Sequence, residues 1–263
     1  MDRRASACQE HRSRFGPTIR SVCDNLRMTA RSLRARVRAE MTDEIKQAAR
    51  RHLASDGANL SLRAVARDLG MVSSAVYRYF PSRDDLLTAL IIDAYDDLGA
   101  AVEAAEAPVD RADLRGRWLA ACRATRGWAV AQPAEYALLY GSPVPGYAAP
   151  EDTIGPALRP TAVLLGVLAD GVRTGALPAD PGADLPPVLL PDLRRIAGST
   201  FPDLPPGNLS RGMTAWIQLF GVLSFELFGR FTNGVEELTA YFDHQMTAMA
   251  DLLVLPAQPA SEE

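Results

Sequence analysis

Lysine is almost missing from this chain: of its 28 basic residues only Lys46 is not an arginine. Cysteine and histidine are scarce as well, with three of each among 263 residues. Cys8, Cys23 and Cys122 are too scattered for a disulfide framework or a zinc site, which fits a reducing cytoplasm. His11, His52 and His244 are just as far apart, so no metal ligand set is expected. No Gly-x-Ser-x-Gly elbow, Walker A loop or His-Glu-x-x-His motif occurs, which argues against an enzyme of those kinds. Asp170 interrupts one long apolar run, and Gln218 and Glu226 another, so no membrane span is expected. Neither alternating strand patterns nor internal repeats are visible. The near-absence of lysine points to a GC-rich genome, which lowers the weight of an arginine at any one site.

What is present is ordinary in amount and unusual in distribution. Hydrophobic residues make up 48% and charged residues 23%, close to average for a folded soluble chain. The net charge of −4 conceals two opposed halves. Residues 1–83 carry 17 basic and 8 acidic side chains, whereas 84–263 carry 11 and 24. A basic front on an acidic body suggests a nucleic-acid module attached to a part that does not touch nucleic acid.

Residues 1–40 hold ten arginines against four acids and no sustained apolar period. They are expected to be a basic, partly disordered extension: a tail over 1–30, with Met28 or Met41 as alternative starts, then a helical lead-in with phosphate contacts. Arg- and Ser-rich composition would also suit a transit peptide, and an arm reaching the minor groove is a further reading. Thr42, followed by Asp43 and Glu44, reads as a helix cap. Ile45, Ala48, Ala49, His52 and Leu53 share the face of that helix. Ser61 opens a second helix burying Leu62, Val65, Ala66 and Leu69, and Gly70 stops it. Ser73 then reads as the cap of a short helix through Phe80. Ser82 and Asp85 form a capping box for a long helix over 82–106.

Beyond, helices are expected over 110–131, from Pro133 to Tyr140, over 160–175, around 187–196, and over about 209–230 and 234–254. Pro/Gly-rich connections fill the gaps, notably 143–156 and the eight prolines of 177–208. The fold class is all-α. Its domains are a helix-turn-helix unit over 41–83, a body over 84–255 and a tail over 256–263.

The continuous string SLRAVARDLGMVSSAVYRYFPSRDDLLTAL, residues 61–90, closely resembles the DNA-binding region of TetR-family transcriptional regulators. Tyr77, Phe80, Pro81, Ser82, Arg83, Leu86 and Leu87 carry the likeness, which covers about 41–95. The resemblance implies a first helix lying across the DNA backbone and a recognition helix in the major groove. By the same likeness Arg63, Ser73, Ser74 and Arg78 face bases. Tyr77, Tyr79 and Arg83 face phosphates, with Ser61 offering its hydroxyl to another. Ser73 as a plain cap and Tyr77 as half core remain open alternatives, and Arg67 reads as solvated.

The segment 128–143, with Trp216 to Gly221, is similar to a TetR subgroup whose C-terminal domain bears a Trp/His-Gly signature. Here Phe220 stands where the histidine usually is, which implies a more apolar site. Helix 209–230 is apolar nearly all round, with Gly212, Gly221 and Gly229 allowing close approach. Together with 234–254 it is expected to build a homodimer interface. A cavity between helices 84–106, 110–131, 160–175 and 209–230 is expected to bind a small, largely apolar effector. Trp118, Cys122, Trp128, Tyr136, Tyr140, Trp216 and Phe220 are its candidate walls, each of them also readable as plain core. Cys122 carries no sign of redox reactivity. The resemblance therefore implies a homodimeric, ligand-responsive regulator of a palindromic operator, read as a repressor with activation left open; composition and motifs add a cytoplasmic setting and no cofactor, metal or membrane partner.

Overall fold

A computed structural model describes residues 17–56, 60–179, 185–198 and 200–255, with side chains from Leu33 onward. The described residues are helical, with no strand among them. Helix α1, Pro17–Asp56, is 40 residues long. The expected start at Thr42 falls inside it, because no glycine or proline breaks the chain between Thr18 and Asp56. Thr42 caps nothing; its hydroxyl donates to the Arg38 carbonyl one turn back, at 2.8 Å. The described backbone is thus already helical at Pro17, within the stretch read as a tail. The first sixteen residues and 256–263, read as tails, lie outside the described residues.

Three short elements complete the head. Helix α2, Leu62–Asp68, ends as expected at Gly70, whose φ of +65° is left-handed. The Met71 N–H reaches the Ala66 carbonyl at 2.8 Å and Gly70 that of Arg67 at 3.1 Å, which closes a Schellman turn. Helix α3 spans only Ser73–Val76, and its cap position is Val72, not Ser73. Helix α4, Arg83–Glu106, starts on the expected box: the Ser82 hydroxyl accepts from the Asp85 N–H at 3.1 Å. Ile45, Ala48, Ala49 and Leu53 of α1 meet Val65, Ala66, Val76 and Phe80 in one apolar cluster, which continues into Leu86, Leu87 and Leu90 of α4. The head core therefore runs without a gap into the longest helix of the body.

The body adds α5 (Leu114–Ala131), α6 (Pro133–Tyr140), α7 (Ile154–Thr174), α8 (Leu190–Ala197), α9 (Pro206–Leu227) and α10 (Leu238–Leu252). Helix α7 starts six residues before its expected boundary and carries Pro160 inside it. Pro156 sits in the first turn, where no N–H is needed, so the two prolines together read as a loop in sequence. Helices α4, α5 and α7 pack on one another, while α9 and α10 pair and lie against α5. At the centre Trp118 is buried, its Nε1 donating to the Met246 carbonyl at 3.0 Å. Gly212 lets α9 approach α7 closely, since a Cβ there would meet the Leu168 side chain at 2.8 Å. Gly229, at φ +69°, instead lies past the helix end, and Gly221 faces open space.

Candidate nucleic-acid interface and ligand cavity

All eight residues expected to meet DNA lie on the head. Ser61, Arg63, Ser74, Tyr77 and Arg78 are exposed, and Ser73, Tyr79 and Arg83 are half-buried. Val76 and Phe80, on the opposite side of this short segment, are buried in the cluster that holds it. Tyr79 and Arg83 are fixed from behind. The Arg38 guanidinium lies 5.0 Å from the Tyr79 ring centre and donates to the Arg78 carbonyl at 3.2 Å. Arg83 donates through Nε to the Leu60 carbonyl at 3.1 Å, bracing the entry to α2. Arg38 is a contributor that sequence reasoning missed as an individual: nothing in local spacing pairs it with a segment 40 residues away.

A charged seam joins head to body. Lys46 of α1 lies 2.8 Å from Asp93 of α4 and 3.3 Å from Asp43. Arg50 reaches Asp93 at 2.9 Å and Glu135 of α6 at 3.6 Å. Burial pulls the Lys46 ammonium down, but Asp93 and Asp43 outweigh it and hold its pKa above the ordinary value. Beside the seam the Tyr147 and Thr88 hydroxyls share a hydrogen bond of 2.9 Å. None of these contacts was legible in the sequence, since the partners come from three separate helices.

The body encloses a cavity of about 340 Å³ between α4, α5, α7 and α9, closed further by Tyr140 of α6 and Ile196 of α8. That volume falls in the range of small-molecule sites, about 300–1,000 Å³. Of the seven candidate wall residues, Trp118, Tyr140 and Trp216 line it. Cys122, Trp128, Tyr136 and Phe220 are buried in the surrounding core and are not in its wall. Tyr136 is committed elsewhere, donating to the Phe220 carbonyl at 2.9 Å and sharing a 2.8 Å bond with Ser224. Phe220 stacks on Tyr140 at 4.1 Å between ring centres, so it backs the wall without reaching the space. Burial pushes the Cys122 thiol well up, which leaves it unreactive.

Wall residues that the sequence did not nominate include Tyr95, Thr161, Leu164, Leu168 and Met213. Tyr95 lies beside the buried Ala94 and Leu98 of α4, where residue spacing alone does not tell core from cavity. No charged side chain lines the space. Burial raises the phenols of Tyr140 and Tyr95, which keeps both protonated near neutrality. The Trp216 Nε1 is buried and finds no hydrogen-bond partner. An apolar chamber with no charged wall suits an uncharged ligand. Among the described residues no cluster could hold a metal ion, and no helix is long and apolar enough to cross a membrane.

Two family models match the chain. One, described as bacterial regulatory proteins, tetR family, covers residues 45–90. The other, a tetracyclin repressor-like C-terminal domain, covers 118–249 and so contains both body segments that carried the resemblance. The chain is 40% identical over 225 residues to HTH-type transcriptional regulators of Mycobacterium tuberculosis and Mycobacterium bovis, across 82% of this chain and 93% of each relative. A crystal structure of a regulatory protein is 34% identical and superposes with a TM-score of 0.66, over 82% of this chain and 98% of the other. A TetR family transcriptional regulator from Thermus thermophilus shares the fold, with a TM-score of 0.50 at 17% identity over 81% and 98% of the two chains.

Proposed function

The chain belongs to the TetR family of bacterial transcriptional regulators, and from that premise we propose that it is a dimeric cytoplasmic repressor released from a palindromic operator by a small, uncharged, largely apolar ligand. The observation that carries this reading is the uninterrupted apolar path from the recognition segment through Leu86, Leu87 and Leu90 into α4, whose Tyr95 borders the cavity. One helix thus touches both the reading head and the ligand space. A ligand that binds one head arrangement better than the other shifts the balance between them by that difference in affinity alone.

In this reading Arg63, Ser73, Ser74 and Arg78 meet base edges, and Ser61, Tyr77, Tyr79 and Arg83 meet phosphates. Arg63, Ser74, Tyr77 and Arg78 are exposed, as contact with DNA requires. Two heads set one helical turn apart, about 34–36 Å, would read the two half-sites. The relatives are regulators and the walls of the cavity hold no nucleophile–base pair, so the ligand is expected to leave unchanged.

Footprinting with DNA flanking its own gene tests the reading. The expected result is a protected, two-fold symmetric site. Arg78→Ala should lose about 1–3 kcal/mol of discrimination at particular base pairs, whereas Tyr77→Phe should weaken every sequence alike. Absence of any protected site, or an Arg78→Ala variant with unchanged affinity and preference, overturns it.

A further inference from the structure

A second chamber, about 500 Å³, lies against the first. The two share Tyr95, Ala157 and Leu158 as common wall. The outer chamber sits between α4, α6 and the start of α7, and the strap 141–149 roofs it. Like the inner chamber it has no charged residue in its wall. Its mouth is apolar: Ile154 and Leu158 are more than half exposed, at 56% and 54%. Exposed large aliphatic residues beside a cavity suit the passage of an apolar molecule.

We infer that the two chambers form one elongated site for a neutral, chain-like apolar ligand. The inference rests on the reading of this body as a ligand-binding domain. The leading end lies against Trp118 and Trp216 in the inner chamber. The chain then passes Tyr95 and Ala157 and ends under the strap. A carboxylate would enter with no cation to pair with, and burying it unpaired is costly. A neutral ketone or ester enters without that penalty.

The outer chamber is also the part that touches the head. Tyr147, in its wall, packs against the head cluster and shares its hydroxyl bond with Thr88 of α4. Val144 and Leu138 line the same chamber and pack on the same cluster. Ligand length, rather than inner-chamber occupancy alone, therefore sets whether the head responds.

The test uses linear methyl ketones from about six to about sixteen carbons, titrated into the full-length protein, with fatty acids of equal length as the charged series. Each added methylene should tighten ketone binding about fourfold, without a plateau until both chambers are filled. The acids should bind at least about tenfold more weakly at neutral pH, given the cost of an unpaired charge. Ala157→Leu, on the shared wall, should halt the gain part-way along the series. Only ketones beyond that length should release DNA. A wild-type plateau at the same length as in Ala157→Leu, equal binding of acids, or no ketone binding overturns the elongated site. Long ketones that bind as expected yet leave DNA affinity unchanged would instead sink the release mechanism and leave the site standing. DNA binding unaffected by a failed ketone series separates the two in the other direction.

Discussion

Tyr136 and Tyr140 stand one turn apart on the same short helix and end in different places. Tyr140 borders the cavity, while Tyr136 is fully buried and spends its hydroxyl on Phe220 and Ser224 of α9. Tyr136→Phe should therefore lower the unfolding free energy by about 1–2 kcal/mol, the cost of leaving a buried acceptor poorly satisfied. Affinity for apolar ligands should be unchanged, and denaturant unfolding alongside a ligand titration checks both. An altered ligand affinity at unchanged stability would put Tyr136 in the site after all. Aromatic spacing in the sequence showed that Trp118, Trp128, Tyr136, Tyr140, Trp216 and Phe220 face inward. It could not show which rings leave a space between them, because a void depends on where partners from other helices stop short. Tyr95, on the inner stripe of α4, is the residue most affected by that limit.

Among elements, α1 departs furthest from its reading in sequence. Thr42, Asp43 and Glu44 look like a helix start, and Ser82, Asp84 and Asp85 look the same. Only the second set follows a proline that breaks the preceding segment, and only there does the hydroxyl find a free N–H. Because α1 continues upstream, Arg38 comes to lie over the recognition segment, holding the Tyr79 ring and the Arg78 carbonyl. Removing it by Arg38→Ala loses one cation–π contact and one hydrogen bond. The summed effect, about 1–2 kcal/mol, corresponds to roughly a five- to thirtyfold loss of DNA affinity. Fluorescence anisotropy at fixed salt measures it, with the thermal midpoint as a check that the head stays folded. Affinity unchanged within twofold would mean that the segment holds its shape unaided. Helix ends set by Gly70 and Ser82 were legible because the chemistry is local. The shortness of α3 was not, since the turns after Val76 keep helix-like bonds to Phe80.

At the scale of the whole molecule, α9 leaves large apolar side chains uncovered. Ile217 and Phe225, spaced at i and i+8 with Gly221 between them, are 62% and 53% exposed. Leu252 and Val254 extend the surface at the end of α10. A helix apolar nearly all round already required two covers in the sequence, and the fold supplies one of them. A second copy of the chain is the proposed other, so Ile217→Arg should give monomers in sedimentation velocity. It should also reduce operator affinity by at least about a hundredfold, because joined heads profit from effective concentration. A dimer that survives this change would move the interface elsewhere. The charge asymmetry has its counterpart in the seam, where basic α1 meets acidic α4 and α6 through Lys46, Arg50, Asp93 and Glu135. Since Lys46 is the only lysine, a reagent selective for side-chain ammonium groups can label the folded chain at one side chain alone. That side chain is clasped between reading head and ligand body, so its acylation rate is a one-site gauge of how far the two have parted.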